Sequence, residues 1–354
     1  MTEKIESLED IIKDEPAFRR QQIYLAWFDK NIHSFEEITT LSKDLRAKLK
    51  NIPWMTVKER VLQQSKIDGT RKALLEFADG RVVESVLMPR VSKKMIPGDK
   101  PRYTICVSSQ VGCPMACTFC ATGKLGFSRN LTYREIIDQM RYWQELLWKT
   151  EEGKVDNIVF MGQGEPLLNY NNVKLALNIL IKGAEIGPRK ITVSTVGLAE
   201  TMNKMVDDKH WPPVRFALSL HSAINENRTS IMPSNRADFL DFLVDWSKRY
   251  HLAFPSRTHF IGIEYIMLGG VNDSPKNLDA LIKLVQKMGS VKVNLIPYNP
   301  GSKKDFFGAT PIETIKHWQE KMNQKNIICT VRRSQGLDIA AACGQLANLD
   351  KQND

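Results

Sequence analysis

From residue 103 onward, short apolar runs alternate with longer stretches in which apolar positions recur at helical spacing. The runs at 104–108, 157–161, 190–195, 215–220, 263–268 and 291–296 predict buried strands. Helical periodicity over 132–150, 173–186, 198–206, 238–250, 276–288 and 311–326 predicts the connecting helices. Strands that alternate with helices in this way demand a parallel sheet, because parallel neighbours need a long crossover. Six such units fall short of a closed eight-unit barrel, so the expected fold is α/β: a partial TIM barrel, (β/α)6, over residues 103–347. In such sheets ligands gather at the C-terminal ends of the strands.

The chain before the barrel reads differently. Between residues 15 and 73, Ile23, Ala26, Trp27, Ile32 and Phe35 fall at helical spacing, and Lys and Arg outnumber the acids from Arg19 to Lys72. Residues 1–73 are therefore expected to form a basic helical accessory domain, either a solvated face or a module that docks RNA. Residues 74–88 alternate like two strands about an Asp79-Gly80 turn, a favoured hairpin signal. They make 74–102 a β extension and linker, with a Lys- and Pro-rich surface loop at 89–102. The tail, 348–354, reads as frayed.

Length and composition narrow the class. The 354 residues, 42% apolar and 25% charged, can bury one large core with an accessory domain beside it. A formal charge of +10 favours polyanionic partners. No run approaches a membrane span and residues 1–16 are polar, so neither a membrane anchor nor a signal peptide is expected. Three of the six cysteines crowd one loop, which argues against a disulfide scaffold and for a reducing cytoplasm.

That loop carries the chemistry. Cys113, Cys117 and Cys120 form Cys-x3-Cys-x2-Cys, short enough for three thiolates to converge on one metal centre and leave a corner without a protein ligand. Structural zinc prefers four closed ligands, usually in two separated pairs, and here there is neither a second pair nor a nearby His. An iron-sulfur cluster with one open iron is the first reading, with zinc as the competing metal. The spacing, with Phe119 before the last Cys, resembles the radical S-adenosylmethionine (SAM) superfamily. The resemblance implies a 4Fe-4S cluster whose open iron takes SAM, and one-electron cleavage of SAM to a 5'-deoxyadenosyl radical.

Polar groups recur where the predicted strands stop. Gly162-Gln163-Gly164-Glu165-Pro166 follows the second, Ser194 ends the third, Ser219-Leu220-His221 ends the fourth and Asn299 follows the sixth. Such recurrence is expected of a ligand rim, though each alone is also an ordinary turn residue. Cys329 lies in an apolar strand, 327–331, and reads as inert core. Cys343, among small residues, and Cys106, seven residues before the cluster motif, can both face a cavity.

Taken together, Cys106-Val107-Ser108-Ser109-Gln110-Val111-Gly112-Cys113, the Gly164-Glu165-Pro166-Leu167-Leu168-Asn169 run, Ala217-Leu218-Ser219-Leu220-His221, Pro297-Tyr298-Asn299-Pro300 and Ala341-Ala342-Cys343-Gly344-Gln345-Leu346 resemble the RlmN/Cfr family of radical-SAM RNA methyltransferases. The resemblance covers essentially the whole chain. It implies methylation of adenine at C2 (RlmN branch) or C8 (Cfr branch). It assigns Gly164, Glu165, Ser194, Ser219, Leu220, His221 and Asn299 to SAM, with the ammonium group at the Gly-Glu-Pro turn. It implies that Cys343 takes a methyl group from one SAM, that a radical from a second SAM activates that methyl, and that Cys106 frees the product by forming a disulfide with Cys343. Glu84 matches the family position that accepts the ring proton.

The implied partners are 23S rRNA and tRNA, and a reducing donor such as flavodoxin; a monomer is expected. Gln163, Gln335 and Leu337 depart from the usual family pattern near the substrate, while the Gly-Glu-Pro-Leu-Leu-Asn run favours the RlmN branch. C8 methylation, a noncatalytic RNA-binding relative and a radical-SAM activase acting on a protein glycine are the rival readings. The intact Cys set argues against the last two.

Overall fold

The computed structural model describes residues 7–90, 101–255, 260–300 and 307–347. Most of the expected surface loop at 89–102, and all of the tail at 348–354, lie outside the described residues. In chain order the helices are α1 (Leu8–Ile12), α2 (Ala17–Ala26), α3 (Lys43–Leu49), α4 (Tyr133–Lys149), α5 (Tyr170–Gly183), α6 (Ala199–Asp207), α7 (Asn225–Ile231), α8 (Phe239–Ala253), α9 (Pro275–Met288) and α10 (Ile312–Gln324). The strands are β1 (Lys58–Gln64), β2 (Arg71–Glu76), β3 (Val82–Pro89), β4 (Arg102–Cys106), β5 (Gln110–Gly112), β6 (Phe127–Asn130), β7 (Lys154–Phe160), β8 (Ile191–Thr195), β9 (Arg215–Ser219), β10 (Ile261–Gly269), β11 (Val291–Pro297), β12 (Gly308–Ala309) and β13 (Ile328–Val331).

Strands β4, β7, β8, β9, β10, β11 and β13 lie side by side in that order, each parallel to the next. Six β/α units thus run in succession as expected, and β13 adds a further parallel strand beyond them. Its run, 327–331, had the right apolar character but no helix after it to mark another unit. Helix α7 was not expected: its sequence, Asn-Glu-Asn-Arg-Thr-Ser-Ile, offers one large apolar residue and no periodicity.

The hairpin forms as predicted. The Phe77 N–H bonds the Arg81 carbonyl at 2.9 Å, and Gly80 takes the positive φ of 75° that the turn requires. A third strand precedes it, because β1 occupies part of the stretch read as helical. It is an edge strand with mostly exposed side chains, so it lacks the in/out alternation that would have revealed it. Together β1, β2 and β3 extend the barrel sheet in antiparallel fashion, and β3 sets Val86 opposite Cys106.

Helix α4 locks the pieces together. Thr132 and Glu135 form a capping box at its start, satisfying donors that would otherwise be orphaned. Trp143, fully buried, donates to Ser85 Oγ at 2.9 Å and so pins the helix to the hairpin. Two residues earlier, on another face of the helix, the buried Arg141 bonds the Trp27 and Trp54 carbonyls at 3.1 and 2.8 Å and Asp138 at 2.5 Å, and stacks on Trp54. Asp138 in turn accepts from both the N–H and the hydroxyl of Thr56. The N-terminal segment therefore attaches to the barrel partly through this desolvated ion pair, beside the Arg134 bond to the Pro53 carbonyl at 2.6 Å and a shared apolar core. Arg141→Ala breaks this buried pair and is expected to cost about 3–5 kcal/mol, read as a lower urea midpoint with an unchanged slope.

Candidate active site

Strand β4 ends at Cys106, and the chain then crosses the barrel mouth as the 107–120 loop. Backbone bonds hold it there: Cys113 N–H to the Gly126 carbonyl at 2.8 Å, Thr118 N–H to the Ile231 carbonyl at 3.0 Å, and Cys120 N–H to the Cys117 carbonyl at 3.1 Å. Cys113, Cys117 and Cys120 pack in one apolar lining with Met115, Phe119, Ile231, Met232, Ile266, Leu268 and Tyr298. Burial pushes the Cys113 thiol up to about 12, with Glu165 and Cys120 adding to the shift, and raises that of Cys117, with Cys120 and Cys113 adding. The three cysteines thus share one wall, where a bound metal centre would have to draw the protons off the raised Cys113 and Cys117 thiols.

Among the described residues no three His, Cys, Asp or Glu side chains close on a single ion. Tetrahedral zinc, with Zn–S of about 2.3 Å, would require that closure. A cluster spreads its thiolate ligands over several irons, so three adjacent thiols without a fourth side chain fit it better than they fit zinc.

The next wall comes from the turn after β7. Gly164 has φ +97°, and a Cβ there would stand 2.5 Å from the Gln110 side chain, so only glycine lets this turn press against the cluster loop. Glu165 is buried; its two carboxylate oxygens accept from the Leu167 and Val196 N–H groups at 3.0 and 2.9 Å. Burial nevertheless raises its pKa to about 7, and among the described residues no cation pairs with it. Gly164, Glu165, Ser194, Ser219 and His221 line a common cavity together with Cys120 and Cys343. His221, at a positive φ of 57°, accepts the Ile266 N–H on Nδ1 at 3.0 Å and meets Phe119 edge to face. Burial lowers its pKa to about 3, which keeps the ring neutral, with its proton on Nε2.

Two of the residues assigned to SAM sit elsewhere. Leu220 is buried in the core and contributes backbone bonds. Asn299 lines a second cavity and accepts from Ser334 Oγ at 2.9 Å. That second cavity also holds Cys106, Gln335 and Cys343, so Cys343 and Met161 belong to both. Burial pushes the Cys106 thiol up to about 12, and the neighbouring Cys343 adds to it. Cys106 and Cys343 are both free thiols.

Glu84 lies outside both linings, in the wall behind them. It pairs with Lys72 at 2.9 Å, both side chains buried, and accepts the Ala347 N–H at 2.7 Å. Cys329 is buried core, as expected. Gln163 is buried away from the cavities and Leu337 is half exposed, so of the three departures only Gln335 reaches a cavity.

Sequence reading missed two charged groups on these walls. Glu264, in the middle of β10, lines the first cavity; Arg332 lines both and approaches Glu264 at 3.4 Å. A Glu within the apolar run 261–268 was the available signal, since a charge on a buried strand demands a partner.

Known proteins place this arrangement. Residues 107–285 match the Radical SAM superfamily. The dual-specificity RNA methyltransferase RlmN of Campylobacter fetus is 38% identical over 98% of this chain and 99% of its own length. That of Lawsonia intracellularis is 39% identical over 97% and 94%. A crystal structure of a radical SAM methyltransferase from Sphaerobacter thermophilus superposes with a TM-score of 0.82 at 34% identity, covering 97% of each chain. A superfamily match over the cluster loop and barrel, relatives alike from end to end and a shared fold make this chain a member of the RlmN family of radical SAM RNA methyltransferases.

Proposed function

We propose that the protein makes 2-methyladenosine in 23S rRNA and in tRNA, and that Cys343 carries the one-carbon unit. The observation behind this reading is the position of Cys343 on the wall shared by the two cavities: one holds Cys120, Glu165 and His221, the other Cys106. A thiol there can take a methyl group on one side and meet a base on the other. Cys113, Cys117 and Cys120 would hold a 4Fe-4S cluster, which when bound would supply the electron for SAM cleavage.

The chain's own residues do the rest. Glu165 receives the SAM ammonium, which supplies the missing cation, and the Gly164 turn lets the backbone come close. Ser194 and Ser219, 3.4 Å apart, are set to bind SAM hydroxyls, and neutral His221 offers its Nε2 proton. Asn299 closes the rim from the side of the second cavity. Two SAM molecules are consumed per turnover, one to methylate Cys343 and one to activate that methyl. After the carbon has joined the base and the unpaired electron of the adduct has returned to the one-electron carrier, the Cys106 sulfur, its proton lost, attacks the Cys343 sulfur; the carbon–sulfur bond breaks as the disulfide forms, and its electron pair stays with the carbon, which takes up a proton to become the methyl group. Glu84 accepts the ring proton once it lets go of the Ala347 N–H.

The exposed Lys30, Lys43, Lys48, Lys58 and Lys66 of the N-terminal segment dock the RNA backbone. Arg71 and Lys72 do not take part, being paired with Glu152 and Glu84. A flavodoxin-type donor, a monomeric state and a cytoplasmic setting complete the reading. Among the described residues no helix is long and apolar enough to cross a membrane.

Reconstituted, reduced protein given SAM and unmodified ribosomal RNA should yield 5'-deoxyadenosine and a nucleoside that co-elutes with a 2-methyladenosine standard in mass spectrometry; the 8-methyl isomer would transfer the reading to the C8 branch. Cys343→Ala should lose all methylation while keeping full iron content, and Cys106→Ala should accumulate a protein–RNA crosslink visible on denaturing gels. Normal turnover in either variant would remove the role given to that thiol.

Glu165→Gln should weaken SAM binding at least tenfold in equilibrium dialysis, a loss of about 1.4 kcal/mol or more. The native carboxyl, with its pKa near 7, must be ionised to pair with the ammonium. SAM affinity of the native protein should therefore fall as the pH drops from 8 to 6, and the glutamine variant should lose most of that dependence.

A further inference from the structure

Arg228, on α7, is among the largest fully buried side chains of the molecule, and neither the resemblance nor the mechanism above uses it. Its Nε donates to the Leu220 carbonyl at 3.1 Å, one terminal nitrogen donates to the Val196 carbonyl at 2.6 Å, and the other bonds Asn235 Oδ1. The guanidinium lies 4.2 Å above the centre of the Phe239 ring. Every one of these partners is neutral, and among the described residues no carboxylate pairs with it. A buried cation without an anion carries a large desolvation cost, which folded proteins retain where a charge of opposite sign stands nearby.

The neighbouring group able to carry that charge is the cluster loop. The carbonyl of Ile231, at the end of α7, accepts both the N–H and the hydroxyl of Thr118, between Cys117 and Cys120, at 3.0 and 3.2 Å. Ile231, Met232 and Cys117 share one apolar lining, so little water intervenes to screen a charge on α7 from the loop. Burial lowers the Arg228 pKa to about 10, and the Cys117 sulfur, once ionised, acts in the opposite direction.

We propose that Arg228 is a positioning residue for the iron-sulfur centre: its buried, carboxylate-free guanidinium supplies the fixed positive charge that offsets the thiolate-bound cluster and raises its reduction potential. Three thiolates outweigh the positive charge of the iron-sulfide core, and reduction adds one electron with no proton to neutralise it. A permanent cation in an apolar wall favours that reduced state. Net charge, hydrogen bonding and burial are the protein's means of setting such potentials. The proposal rests on Cys113, Cys117 and Cys120 holding the cluster.

The test is an EPR-monitored redox titration of anaerobically reconstituted full-length protein, with iron and sulfide measured per chain. The native protein is compared with R228Q, R228K and N235D. R228Q removes the charge and R228K keeps it. N235D leaves the guanidinium and its carbonyl contacts in place but sets a carboxylate against it. R228Q and N235D should each lower the equilibrium constant for one-electron reduction about tenfold, a shift of about 59 mV to more negative potential, while R228K should stay within about twofold of the native protein.

Native potentials in R228Q and N235D, or an equal shift in R228K, would overturn the proposal. Should R228Q fail to take up iron, N235D decides alone. Native protein without iron or sulfide would instead defeat the assignment of the three cysteines, a result separate from an unshifted potential.

Discussion

The return of the last described segment across the barrel mouth is the constraint on which the site depends. Ala121 N–H bonds the Gly344 carbonyl at 2.8 Å and Thr122 Oγ1 bonds the Leu346 carbonyl at 2.7 Å, which stitches the segment to the cluster loop. Gln345 Nε2 reaches the Pro300 carbonyl at 2.9 Å, and the Lys72–Glu84 pair holds the Ala340 carbonyl and the Ala347 N–H from below. Cys343 sits at the middle of these anchors. Without them a residue more than two hundred positions from Cys106 would have no reason to share a cavity with it.

The anchors also explain why the β extension is continuous with the barrel sheet. Side chains two apart on a strand share a face, so the pairing of Val86 with Cys106 puts Glu84 on the face that meets the returning segment. Val86, Cys106, Ala341 and Leu346 form a small apolar cluster there. The hairpin is thus one wall of the second cavity, and Glu84 serves as a structural anchor in the state described.

Charge inside the mouth is arranged in fixed, desolvated groups. Among the described residues Glu165 has no cation partner and Arg228 no carboxylate, and Arg332 stands between Glu264 and the thiols of Cys106 and Cys343. Such groups are costly in an empty apolar wall and favourable once a zwitterionic ligand and an anionic cluster fill it.

The sequence by itself determined the β/α alternation, the Asp79-Gly80 hairpin, the cysteine loop and the family motifs, because each is a local signal: a periodicity, a turn dipeptide, a short spacing. It did not disclose β1, whose exposed edge carries no alternation, nor α7, whose seven residues hold too few apolar positions to show a helical face. Only the tertiary structure decided that Cys343 belongs to two cavities at once, that Asn299 and Leu220 stand apart from the other rim residues, and that Lys72 and Arg71 are tied into ion pairs. Glu264, Arg332 and Arg228 became meaningful for the same reason. The cost of a buried charge depends on which groups three-dimensional packing brings beside it, and spacing along the chain does not contain that distance.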